Sequence, residues 1–168
     1  MSTIEEKIKY LGKDKFVKFS NTDEFPELTT ETKDFLANHG VYSNDKGYPY
    51  LTTSGVLKKH NDNLIEIGTG VVGDPFCINI ETDEVVGYEL ESHETHVINK
   101  SIVKYVETLY ALYYHSDEIE GKETLGEYWK NHKKYAQSLR TMLEEVEPNI
   151  MEYEAWYVQV HEMELGVI

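Results

Sequence analysis

The spacing of apolar residues changes period twice along this chain, and no other feature limits the fold as much. Ile4, Ile8 and Leu11 recur at helical intervals, with Ser2 and Glu5 at the spacing of a capping box and Gly12 as a stop. The pattern predicts a helix over residues 3–11. A second fits Thr30 to His39, with Phe35 and Leu36 turned inward and Gly40 ending it. From Leu64 the period shortens. Leu64-Ile65-Glu66-Ile67, Phe76-Cys77-Ile78-Asn79-Ile80 and Val85-Val86-Gly87-Tyr88-Glu89-Leu90 read as strands, the last two joined through the polar tetrapeptide Glu81-Thr82-Asp83-Glu84. Helical spacing returns after Asn99, read as an N-cap, with Ile102, Val103, Val106, Leu109, Tyr110 and Tyr113 in one stripe. A further helix fits Thr124 to Glu145, carrying Leu125, Tyr128, Trp129, Tyr135, Leu139, Met142, Leu143 and Val146 up to Pro148. In the last segment Trp156, Val158 and Val160 alternate like a strand, while Trp156, Val160 and Met163 keep helical spacing. Helix and sheet are therefore mixed, with no linker or repeat to divide a 168-residue chain, which is expected to form one domain over 1–168.

Charge narrows the partners. The chain carries 16 Lys+Arg against 31 Asp+Glu, for a net charge of −15. Such a surface repels phosphate backbones and anionic lipid, so neither nucleic acid nor membrane is an expected partner. It attracts basic proteins and speeds their encounter. Residues 1–59 balance nine acids with nine lysines, whereas residues 60–99 hold nine acids and no lysine or arginine. Residues 117–168 return to twelve acids against five bases. The alternative to a specific interface is a solvated face that keeps the protein soluble. A single cysteine, Cys77, and an N-terminus without a basic flank or apolar stretch fit an expected cytoplasmic location.

No residue pattern in the chain carries catalysis. Gly68-Thr69-Gly70-Val71-Val72-Gly73 follows a strand and has the spacing of a dinucleotide fingerprint. That chemistry needs a helix to begin inside the motif, so that its free N–H groups hold the pyrophosphate. Asp74-Pro75 follows instead, with a proline that disfavours helical angles before it and a carboxylate where a phosphate would sit. A glycine turn between strands is expected, and no cofactor. His93 and His96 flank Glu94 without the spacing of a metal helix, and His39, His60, His115, His132 and His161 are scattered. Cys77 sits in an apolar strand and reads as packing, and no carboxylate pair is distinguished as a catalytic couple. Thirteen tyrosines stand out, because tyrosine gives large contact area at low entropic cost. Tyr42, Tyr48 and Tyr50 in loop 41–50 and Tyr88 in the acidic hairpin suit recognition, while Tyr110, Tyr113, Tyr128 and Tyr135 read as packing.

Four segments, in order, resemble the SUKH superfamily, in particular its immunity proteins found beside bacterial polymorphic toxins. Phe25-Pro26-Glu27 leading to Thr32-Lys33-Asp34-Phe35-Leu36 and Gly40 resembles the opening of that family. Ile67-Gly68, Gly73-Asp74 and Cys77-Ile78-Asn79-Ile80 are similar to its glycine turn. Val97-Ile98-Asn99-Lys100-Ser101-Ile102 is similar to its helix start, and Glu147-Pro148, Trp156, Glu162-Met163 and Gly166 to its close. The match departs at Asp83, where the family has glycine, at Ala155 and at Lys100.

The resemblance implies an α+β fold, with a central, mostly antiparallel sheet over about residues 42–98 flanked by N-terminal and C-terminal helices. It also implies a helix over 153–165 and neutralisation of a toxin by direct binding, without enzymatic activity. Combined with the charge map, it makes a basic, nuclease-type toxin the expected partner, its active site occluded. The expected contact residues are Asp62, Glu66, Asp74, Glu81, Asp83, Glu84, Tyr88, Glu89, Glu91 and Glu94. The competing reading is an adaptor of the same fold that binds a cellular protein.

Overall fold

A computed structural model of the chain describes residues 2–168. Helix α1, Ile4–Leu11, turns Ile8 and Leu11 into the core and ends at Gly12. Its capping box uses Thr3 and Glu6, not Ser2 and Glu5, one residue later than the sequence suggested. Both pairs have the required spacing, and the helix takes the later one. A two-residue strand β1, Phe16–Val17, pairs antiparallel with β2, Val41–Tyr42. Between them lies α2, Thr30–Asn38, capped by Thr29 and burying Phe35 and Leu36. Gly40 follows at φ +83°, and a Cβ there would lie 2.1 Å from the Val17 carbonyl oxygen. Only glycine fits that approach.

The main sheet is an antiparallel meander of five strands, β3 (Lys58–Lys59), β4 (Leu64–Thr69), β5 (Pro75–Asn79), β6 (Val85–Tyr88) and β7 (Thr95–Asn99), each beside its sequence neighbour. The architecture is α+β as expected, but Val41–Tyr42 belong to the small β1–β2 pair and not to this sheet. Alternation divides the sheet residues between two faces. Ile65, Ile67, Ile78, Val85 and Ile98 join the main core, while Leu64, Cys77 and Val86 form a separate buried cluster with Tyr88 and Val97 against it.

Three helices complete the chain: α3 (Ile102–Glu120), α4 (Leu125–Val146) and α5 (Glu154–Leu165). The last settles the ambiguous segment as helix. Asn99 does not cap α3. It ends β7, and Ser101 caps the helix by accepting from the Lys104 amide. Asn99 instead enters a buried clamp. Its Nδ2 donates to Glu147 Oε2 at 2.8 Å and to Thr108 Oγ1 at 3.0 Å, while Glu147 Oε1 accepts from the Lys100 amide at 3.1 Å. One carboxylate at the end of α4 thus ties together the sheet and the start of α3. Trp156, 1% exposed, reinforces the joint by donating its indole N–H to the Ile98 carbonyl at 2.7 Å.

The expected stripe on α4 is only half right. Ala136, Leu139 and Leu143 are buried, yet Leu125 and Trp129 are 73% and 49% exposed. The first turns of α4 carry apolar residues that the rest of the fold covers only in part. Helical spacing records that these residues share a side, and says nothing of whether a neighbour reaches that far.

Candidate functional site

In an antiparallel meander successive turns alternate between the two ends of the sheet. That simple fact divides the lysine-free block. The β4–β5 and β6–β7 turns meet at one end, and the β3–β4 and β5–β6 turns at the other. Strands of about five residues at ~3.3 Å per residue put the two ends roughly 15 Å apart, beyond the ~8 Å over which physiological salt screens charge. Strand order therefore divides the expected contact residues between the two ends, with Tyr88 touching both His60 of the β3–β4 turn and His93 of the β6–β7 turn.

The first end holds Asp74, Glu89, Glu91 and Glu94. Gly70 and Asp74 close the β4–β5 turn through a 2.8 Å backbone hydrogen bond, with Gly73 at φ +84°. The glycine-rich segment is a turn between strands, as expected. Glu89 and Glu94 close the β6–β7 turn at 2.9 Å, with His93 in the left-handed region at φ 62°. The two turns are joined: Asp74 Oδ1 accepts from the Leu90 amide at 3.1 Å. Glu89, Glu91 and Glu94 are exposed around this junction, and only Glu89 has a side-chain partner there, the Ser92 hydroxyl at 2.7 Å. Beside them stand Val71 and Val72, 74% and 76% exposed, and Leu90 at 49%. An exposed apolar group with an acidic rim is the composition of a protein-binding patch, in which apolar contacts hold and rim charges steer. Val71 and Val72 lie inside the glycine-rich turn and Leu90 at the end of the strand expected over 85–90, and none of the three is among the expected contact residues. The available signal was apolar side chains between turn glycines, where no core can receive them.

The opposite end carries Asp62, Glu81, Asp83 and Glu84, and most of these are engaged within the chain. Asp83 Oδ1 accepts from Thr32 Oγ1 at 2.8 Å and Thr29 Oγ1 at 3.2 Å, fastening the turn to the start of α2. Asp83 also takes φ 63°, the left-handed angle that the resemblance met with glycine. Glu84 accepts from the Thr82 hydroxyl at 3.0 Å, and Asp62 pairs with Lys59 at 3.1 Å. Glu81 is exposed.

Glu66 lies between the two ends, whereas Tyr88 is the last residue of β6, beside the β6–β7 turn. Glu66 sits across the strand from Cys77. Burial, then the Glu66 charge, push the Cys77 thiol up to about 12, which leaves it protonated and suited to packing. The Tyr88 ring centroid lies 4.3 Å from that of His60, and its hydroxyl reaches His93 Nδ1 at 2.9 Å. Among the described residues no group of three or more His, Cys, Asp or Glu is placed to hold a metal ion. Nor is any helix long and apolar enough to cross a membrane. The loop tyrosines divide. Tyr42 is 3% exposed and packs on Phe16, so it serves the core, not recognition. Tyr48 is 49% exposed, with its hydroxyl donated to the Ala155 carbonyl at 2.8 Å.

A second concave region lies away from the sheet. Tyr48, α3, α4 and α5 line a cavity of about 560 Å³ that opens to solvent.

A meander of acidic turns mounted on a helical layer by one buried carboxylate, with an apolar tip on one end, has the features of a protein-binding module. The SUKH-4 immunity protein family aligns with residues 44–162, well over half of the chain, and the chain belongs to that family. No curated protein and no solved structure gave a match. Membership makes toxin immunity the coarse function. The aligned span begins after β1, α2 and β2 and includes the whole main sheet and the Asn99–Glu147 clamp.

Proposed function

We propose that this chain neutralises a cognate toxin by binding it directly, through the end of the sheet where the β4–β5 and β6–β7 turns meet. The observation that carries the reading is Val71, Val72 and Leu90 exposed within a rim of Asp74, Glu89, Glu91 and Glu94. The partner is a protein with a basic face, and a nuclease-type toxin fits because its substrate cleft must be cationic to hold phosphate. The acidic turns then occupy the cleft in place of substrate, and the valines and Leu90 supply the desolvated contact. Asp62, Glu66, Glu81, Asp83 and Glu84 contribute to the long-range field more than to contact, while Tyr88, uncharged and bonded to His93, borders the contact itself.

Co-expression tests the reading. The toxin domain alone should arrest growth, and this chain should restore it. Rescue should fail for Val72→Asp combined with Leu90→Asp, although both residues are exposed and the variant should fold. Full rescue by that variant would move the interface elsewhere. No rescue by the folded wild-type chain would remove toxin neutralisation itself and favour an adaptor role.

A further inference from the structure

The cavity between the helices has a lining that sets its chemistry. Its apolar walls are Leu112, Ile119, Leu139 and Met163, and Tyr48, Tyr113 and Tyr128 add aromatic surface. No lysine or arginine lines it, while Glu120 and Glu123 do. Glu123 Oε2 is shielded from solvent without a well-aligned hydrogen bond, the neutral Tyr135 hydroxyl lying close to the carboxylate and no cation facing it. A carboxylate oxygen in that condition is costly unless a donor reaches it. The nearby imidazole does not supply a charge. His115, buried at the cavity wall, is held below its ordinary value of 6.5 by desolvation, and its Nε2 engages Ser138 Oγ at 2.7 Å.

The volume lies within the ~300–1,000 Å³ of small-molecule sites. An apolar, tyrosine-walled space with a carboxylate whose charge no lining cation balances matches one ligand class: an organic cation with an apolar body. Tyrosine faces attract ammonium groups through their ring quadrupoles, and the carboxylate supplies both charge and acceptor. We propose that this cavity is a binding site for a small amphipathic amine, with its ammonium at Glu123 and its apolar body against Leu112, Leu139 and Met163. The site is separate from the sheet turns, and its occupation does not depend on toxin recognition.

Three probes with one aromatic body separate the contributions: phenethylamine, phenethyl alcohol and phenylacetate. Heteronuclear NMR titration of the full chain should give saturable shifts for the amine, centred on Leu112, Ser116, Tyr128 and Gln159. Affinity for the amine should exceed that for the alcohol by ~10-fold, and phenylacetate should bind more weakly still. In Glu123→Gln, a substitution at a partly exposed site that should leave a cooperative melt, the preference for amine over alcohol should shrink below about 3-fold. In Gln159→Trp, which fills the cavity, all three probes should lose binding.

Equal binding of amine and alcohol to the wild type would overturn the proposal, leaving an unspecific apolar pocket. So would no saturable binding of the amine at millimolar concentration. Shifts that map to the sheet turns, or an amine preference that survives Glu123→Gln, would overturn the assignment of Glu123.

Discussion

The two acidic regions carry similar charge and use it differently. In the helical layer, carboxylates are structural parts. Glu147 holds the Asn99 amide and the Lys100 N–H, Glu127 completes the capping box of α4, and Glu107 accepts from Lys7 and Lys104. Burial works against ionising Glu107, but those two ammonium hydrogen bonds outweigh it and hold its carboxyl below the usual range. At the β4–β5 and β6–β7 end of the sheet, the Glu91 and Glu94 carboxylates stand exposed with no side-chain hydrogen bond, beside apolar residues that also lack cover. Charge satisfied within the chain stabilises the fold. Charge left unsatisfied at the end of the sheet is available to another molecule.

Removing a structural carboxylate should cost most. Glu147→Ala removes one of the two acceptors of the buried Asn99 amide and the acceptor of the Lys100 N–H, and should lower unfolding stability by ~3 kcal/mol in urea melts. Glu147→Gln keeps an acceptor oxygen and should cost less than half as much. Equal losses for the two would mean that the carboxylate charge, not the acceptor geometry, holds the joint. At the sheet end the expectation reverses. Val72→Asp with Leu90→Asp should change stability by less than ~0.5 kcal/mol while weakening toxin binding ~100-fold by calorimetry. A large stability loss there would break the distinction between the regions.

Acid should separate them as well. His115 is held neutral by burial, so its folded value lies below its unfolded one. Between those values the unfolded chain binds more protons, so this contribution is complete above about pH 6.5 and is lost as pH falls through the folded value. Melting temperature should decline on acidification from neutral pH, and His115→Leu should flatten that decline between neutrality and pH 5. The smallest effect belongs to the other end of the sheet. Asp62→Lys with Glu81→Lys should alter both stability and toxin affinity by less than ~0.5 kcal/mol, because exposed charges contribute little alone.

Much of the fold could be read from the sequence where period and caps agree. Strands β4 to β6, helices α2 and α3 and the end of α1 at Gly12 fall where spacing and turn residues placed them, and α5 where the family resemblance did. Asn99 shows where that reading stops. An asparagine before an apolar helix looks like a cap, but Ser101 is also available two residues later, and a buried partner 48 positions away in Glu147 decided the matter. No local pattern contains that contact. The acidic block was visible as composition, but its division into two ends follows from strand order, and the apolar tip follows from which turns meet. Trp129 and Leu125 mark the same limit on α4, since periodicity does not reveal how far a neighbouring helix extends.

Association kinetics with the toxin provide the most direct test of the central claim. The triple reversal Glu89→Lys, Glu91→Lys, Glu94→Lys should slow association at least ~10-fold at low salt and flatten its dependence on ionic strength, with the folded state intact. The matching reversal of Asp62 and Glu81 should leave the rate within about twofold. Equal slowing by both variants, or unchanged association in the triple variant, would contradict the assignment of recognition to this end of the sheet.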